Sequence, residues 1–175
     1  MLDAPPLANY LGFLALICYV LTLLPTSIKI VFPQTRQAEI PKVLQKNRRE
    51  IGVIAFVLAF GHGTLLVLKR NFDFYDFQTY WIYIQGVATF IIFVLLTITS
   101  NDWSMRKMKK NWKKLHELTY LALFLLVWHI IDKMSGHWTL LTPFGMLGIT
   151  GIAVVFIIRK WKEHQKKLSK PKPIQ

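Results

Sequence analysis

Arg48-Arg49-Glu50-Ile51-Gly52-Val53-Ile54-Ala55-Phe56-Val57-Leu58-Ala59-Phe60-Gly61-His62 begins with three charged residues and then runs apolar to a histidine. Read as a helix, the stretch carries that ring ~21 Å in from its charged edge at ~1.5 Å rise per residue. An ionisable side chain at such depth in a membrane span is rare and usually functional. The ordinary reading, a histidine bonded to a carbonyl of the next helix, has about equal weight for one such ring taken alone. Whether His62 has a counterpart decides between them.

The remainder of the chain fixes the setting. It has 175 residues, 53% of them hydrophobic, yet a formal charge of +13. The two populations are segregated, with long apolar blocks separated by short basic ones, whereas a soluble basic domain interleaves them at helical or strand spacing. Bilayer rather than water therefore solvates most side chains, and the expected fold is all-α: a polytopic membrane bundle of about five transmembrane helices. The lysines lie in loops and tail, where they act as a topology signal with attraction to anionic lipid, so no nucleic-acid partner is expected. The single cysteine, Cys18, allows no internal disulfide, and no Cys-x-x-Cys-His is present for covalent haem attachment. Zinc-ligand clusters, phosphate-binding loops and dinucleotide fingerprints are also missing.

The first span is predicted over 9–32, with Pro25 as a kink. Segment 1–8 has no lysine or arginine, so no cleavable signal is expected. A basic loop broken by Pro33 and Pro41 leads to the second span, 48–68. An aromatic, acidic loop from Asn71 to Phe77 precedes the third span, 80–99. A strongly basic loop leads to the fourth span, 112–131. A short turn containing His137 precedes the fifth, 138–158, where Gly145, Gly148 and Gly151 form a strip for close helix contact. Residues 1–158 are read as the transmembrane domain and 159–175 as a basic, disordered cytoplasmic tail. For five spans every strongly basic segment falls on one side, which gives N-terminus out and C-terminus in.

The second and fourth spans then run in the same direction. His129 lies sixteen residues beyond Lys113, ~24 Å in, and His62 lies ~21 Å in. Two imidazoles at matching depth on parallel helices are what a haem iron with two axial ligands requires. Ala55, Ala59, Gly61 and Gly63 around His62, and Ala122 among Leu118 and Leu125 near His129, leave room for a porphyrin edge. His116 lies thirteen residues before His129, and ideal winding turns its ring well away from that face. At its depth the second span offers Arg48, not a histidine. His116 is therefore either a headgroup-level histidine, or joins Arg48 and Arg49 in touching propionates, a bound flavin or a quinone. His137 and His164 read as solvated. Lys69, Arg70 and Lys133 at the outer edge could pair with propionates, although lysines at helix ends snorkel there in any case.

The motif Arg48-Arg49-x-x-Gly52-x-x-Ala55-Phe56 leading to His62 resembles the ferric-reductase-like transmembrane family. So does Ile98-Thr99-Ser100 with Trp112-x-x-Leu115-His116-x-Leu118-x-Tyr120 and His129. Within that family the pattern is nearest to the haem-binding membrane subunits of the methionine-sulfoxide reductase system. The resemblance covers roughly residues 48–158. It implies non-covalent b-type haem and electron passage across the membrane, with His62 and His129 as ligands of one haem and His116 matching a second-haem ligand. Arg48 departs from the oxidase pattern, so one haem is expected and the second stays open. The flavin and nicotinamide domains of ferric reductases are absent from this sequence. Electrons would then come from a separate redox partner, from quinone, or from bound FMN, as in the membrane subunit of an oxidoreductase. The expected setting is a prokaryotic plasma membrane or a thylakoid. The competing reading is a haem-free interaction or assembly subunit of a larger membrane complex; a proton carrier using His62, Asp132 and His129 is a weaker third.

Overall fold

The computed structural model describes residues 6–70, 77–134 and 139–169, with backbone only at 69–70, 77–79 and 133–134. Eight α-helices are present among them. They are α1 (Leu7–Val31), α2 (Glu39–Lys46), α3 (Arg48–Arg70), α4 (Phe77–Ile98), α5 (Asp102–Met108), α6 (Lys110–His116), α7 (Leu118–Met134) and α8 (Leu141–Leu168). Five segments are long and apolar enough to cross a membrane: α1, α3, α4, α6 with α7, and α8. The expected all-α membrane bundle of five spans is what the chain forms. The loop 71–76, the turn holding His137 and the side chains of Lys69, Arg70 and Lys133 lie outside the described residues, as do 1–5 and 170–175.

Packing links α1 to α3, α3 to α4, α4 to α7, α7 to α8 and α8 back to α1. The spans therefore close into a five-membered ring in which α3 and α7 are separated by α4. Tyr19 and Leu23 of α1, Ala55 of α3, Phe93 of α4, Leu123 of α7 and Ile149 of α8 meet in one buried apolar core. Outward faces remain apolar, as at Val57, Phe60 and Leu147, because hydrocarbon rather than water lies against them.

Several connections differ from expectation. The segment after the first span is helical despite its prolines. Pro33 starts a 3-10 turn (Pro33–Gln37), and Pro41 sits in the first turn of α2, where no intrahelical partner for its missing N–H is needed. The basic loop before the fourth span is also helical. Asn101 caps α5 by accepting from Ser104 N at 2.7 Å, and Lys109 takes φ 48° at the corner into α6. The fourth span is interrupted at Glu117. There N–H bonds to Lys113 O (3.0 Å) and Lys114 O (3.2 Å), and Glu117 O accepts from Tyr120 N at 2.9 Å, so the winding tightens for a turn. The region after Ile158 is ordered helix as far as Leu168, not the disordered tail expected from Arg159. Arg159 bonds Glu163 (2.8 Å) and donates to Tyr120 Oη (3.1 Å), while Lys162 Nζ donates to Val31 O (2.8 Å) at the end of α1. Only Gly145 of the glycine strip packs, against Phe13 and Leu16; Gly148 and Gly151 face open space among the described residues.

At the same basic end, the buried Tyr19 hydroxyl donates to Thr119 O, just past the interruption at Glu117. A buried hydrogen bond between α1 and α7 contributes about 0.5–1.5 kcal/mol. Tyr19→Phe should lower stability by that amount in detergent unfolding, whereas Tyr10→Phe on the exposed side of α1 should leave it unchanged.

Candidate haem-ligand site

His62 sits on the face of α3 that packs on α1. Its Nδ1 lies 2.7 Å from the Ala8 carbonyl, in the first turn of α1. Gly12, one turn further along α1, receives the flat of the ring: a Cβ there would lie 2.8 Å from Nδ1 and 2.9 Å from Cε1. No side chain other than hydrogen fits at Gly12 without moving the imidazole. The ordinary alternative to ligation was a carbonyl bond, and that bond is present. It is also what ligation needs, since an imidazole with Nδ1–H on a carbonyl presents Nε2 to a metal in a fixed tautomer.

His129, on α7, lies against Gly86 of α4 at a looser contact. A Cβ at Gly86 would lie 3.5 Å from its Cε1 and 3.9 Å from its Nδ1. The Nδ1 atom is buried. The level of the two rings follows from α4. Phe90 stacks on Phe56 (5.7 Å between centroids) and meets Phe60 at 6.1 Å. In antiparallel register, His62 is then level with Gly86, and so with His129. The depth match expected from counting thus has a structural counterpart in the stacking of α3 on α4.

His116 belongs to a different level. Its ring stacks on Trp112 at 4.0 Å between centroids, and its Nε2 lies 3.2 Å from Thr99 Oγ1. Trp112 in turn donates Nε1–H to Thr99 O at 2.9 Å. Thr99 directly follows α4, so both histidines of the fourth span meet the same neighbour, although ideal winding would turn them apart. The interruption at Glu117 lies between them. His116, Arg48 and Arg49 line one cavity of about 540 Å³ at the basic end, together with Trp112, Gly52 and Ser100. Arg49 also reaches Asp102 at 3.1 Å, an exposed pair of little energetic weight. The structure thus joins His116 with the two arginines and keeps them apart from His62 and His129.

Of the other expected wall residues, Ala55 and Ala122 are buried in the apolar core. Gly61 admits Leu11 of α1 at 3.2 Å from its Cβ position, and nothing lies within 4 Å of Gly63 among the described residues. His164 is exposed. Gly12 and Gly86 were not singled out from the sequence, whereas Thr99 and Trp112 appeared there as motif positions without an assigned contact. A small residue at equal depth on a neighbouring span is the signal that could have revealed the glycines. Among the described residues no three His, Cys, Asp or Glu side chains gather as in a protein-only metal centre. The donor set is separate imidazoles on separate spans, which suits a planar group that brings its own four ligands. Together, the two glycine-seated imidazoles and the carbonyl-held tautomer of His62 fit a haem.

A closed ring of five apolar spans, two of them bearing imidazoles at one level, defines an all-α membrane bundle. The chain matches the family described as ferric reductase like transmembrane component over residues 11–127, two thirds of its length, and belongs to that family. The matched region contains His62 and His116 and stops two residues before His129. The chain is similar to the protein-methionine-sulfoxide reductase heme-binding subunit MsrQ of Brucella anthropi. Identity there is 29% over 98% of this chain and 77% of that protein. It is also 33% identical to the subunits of the same name from Brucella ovis and Brucella canis, over 70% of this chain. It spans little more than half, 56%, of those two relatives.

Gly12→Ala should displace the His62 ring or break its bond to Ala8. A lower melting temperature of the detergent-solubilised protein is expected, and a larger drop than for Gly86→Ala, whose nearest contact would be an ordinary 3.5 Å.

Proposed function

We propose that this chain is a membrane electron-transfer protein that holds b-type haem between His62 and His129. The seating of both imidazoles against glycines of neighbouring spans, at one level of the bundle, carries the reading. A bis-imidazole haem, when bound, supplies a one-electron carrier inside the bilayer. The chain's own contribution is to bind and to exclude water. His62 would present Nε2, with its tautomer set by the Ala8 carbonyl. The apolar core on the basic side of the rings, Phe93 and Leu123 among it, keeps water from reaching them from that end. The family and the names of the similar proteins support a haem role; b-type ligation by these two residues is our assignment.

In the proposed topology residues 1–158 form the transmembrane haem domain and 159–175 a basic cytoplasmic extension, with the N-terminus outside. The cavity of His116, Arg48 and Arg49 then opens towards the cytoplasm. There it would receive a second haem's propionates, FMN or a quinone, and a separate redox partner or quinol would supply electrons. The relatives are bacterial, which favours a prokaryotic plasma membrane over a thylakoid. As a subunit of an oxidoreductase, the chain would pass electrons outward to a partner protein or a small acceptor. The haem-free assembly subunit remains the competing reading, supported by the unpacked Gly148 and Gly151 on α8.

An absorption spectrum separates the two. The dithionite-reduced, detergent-purified protein should show a bis-imidazole haem band, and His62→Ala or His129→Ala should abolish it. A normal band in both variants would defeat the ligand assignment, and a colourless wild type after haem supplementation would favour the assembly subunit. Orientation is tested independently: a fluorescent protein fused after Gln175 should fluoresce, and periplasmic alkaline phosphatase fused there should be inactive.

A further inference from the structure

The α4–α7 interface contains polar side chains that neither packing nor ligation accounts for. Gln85 is 2% exposed and Thr89 is 5% exposed, the first in the second turn of the apolar span Tyr80–Ile98 and the second near its middle. Gln85 Nε2 donates to Asp132 Oδ2 at 2.6 Å. That bond fixes the amide orientation, because the NH₂ must face the carboxylate, and it leaves Oε1 as a pure acceptor pointing elsewhere. Gln85 Oε1 and Thr89 Oγ1 are buried with no hydrogen-bond partner among the described residues. Burying such atoms unpaired is unfavourable, because nothing replaces the water bonds they lose.

Their positions are informative. Gln85 immediately precedes Gly86 and Thr89 lies one turn beyond it, so the two polar groups bracket the glycine that seats His129. The imidazole is the one described group within 4 Å of the Gly86 Cβ position outside the adjoining chain, so the ring lies beside the stretch of α4 that carries both polar groups. We propose that Gln85 Oε1 and Thr89 Oγ1 hold one buried water against Nδ1 of His129, making both side chains positioning residues for that imidazole. Three polar partners are the usual complement of a buried water. The water accepts from Nδ1–H and donates to the amide oxygen and the hydroxyl, so Nε2 is fixed as the ligating atom. Asp132 polarises the amide from its far side. His62 reaches the same tautomer through the Ala8 carbonyl, so the two ligands are oriented by different means.

The inference rests on His129 being a ligand, and its test uses one readout that needs haem and one that does not. The full chain is purified in detergent as wild type, Gln85→Leu, Thr89→Val and Thr89→Ser. Loss of an acceptor for Nδ1–H makes the imidazole a weaker donor to ferric iron. Gln85→Leu and Thr89→Val should therefore keep the haem band while the midpoint potential moves positive, and Thr89→Ser should restore it. In ¹⁵N-histidine-labelled protein, His129 should be an Nδ1–H tautomer in the wild type and a mixture in the Gln85→Leu/Thr89→Val double variant. Unchanged potential and unchanged tautomer overturn the proposal. A wild type that purifies without haem overturns the ligand assignment instead, and the tautomer still decides this inference. Thr89→Val is nearly isosteric and carries the test if Gln85→Leu does not fold.

Discussion

Hydrocarbon gives transmembrane helices no hydrophobic reason to associate, and it leaves a polar side chain no water to bond. The contact of His62 with α1 meets both conditions at once. Its Nδ1 is paired with the Ala8 carbonyl, and the missing side chain at Gly12 lets the ring lie on the backbone of the neighbouring helix. α3 has few buried side chains of its own, with most of its surface turned to lipid. Its position against α1 therefore depends heavily on this seat and on the small Gly61 and Gly52 near Leu11 and Thr22. The same bond that satisfies a half-buried ring also aims its other nitrogen. Structural and functional readings of His62 thus describe one interaction.

The basic end is held by different means. There the spans are tied by polar bonds across long sequence separations: Tyr19 to Thr119, Lys162 to Val31, and Arg159 to Tyr120. Closing the end in this way leaves the cavity of His116 and the arginines as a defined space instead of a gap between loose helix ends. Two levels result. One, towards the opposite end of the bundle, is lined by glycines and imidazoles; the other, at the charged edge, is lined by arginines, an indole and an imidazole.

The spans, the basic edge and the shared depth of His62 and His129 were legible in the sequence because each follows from counting along one helix. What was not legible depends on how helices meet. Gly12 and Gly86 become seats only once the register of α1 on α3 and α4 on α7 is fixed. Pro33 and Pro41 looked like breakers, yet both fall in first turns, where proline loses nothing. The glycine strip of α8 read as a packing face, but 145, 148 and 151 diverge around a 3.6-residue helix and only Gly145 meets α1. The tail past Ile158 looked too charged to order; its charges are what anchor it, through Arg159, Lys162 and Glu163. His116 was separated from His129 by ideal winding, and the tightened turn at Glu117 departs from that ideal.

The two histidine seats are also unequal in time. α1 and α3 are neighbours in the chain, so the bond between His62 and Ala8 can form as soon as the second span has entered the membrane. The seat of His129 needs α4 and α7, which leave the ribosome later, when domains made first have already begun to fold. During biogenesis the protein thus offers one oriented imidazole well before the second exists. Under the proposed ligand assignment, cofactor capture would be sequential, with the His62 side formed before the His129 side.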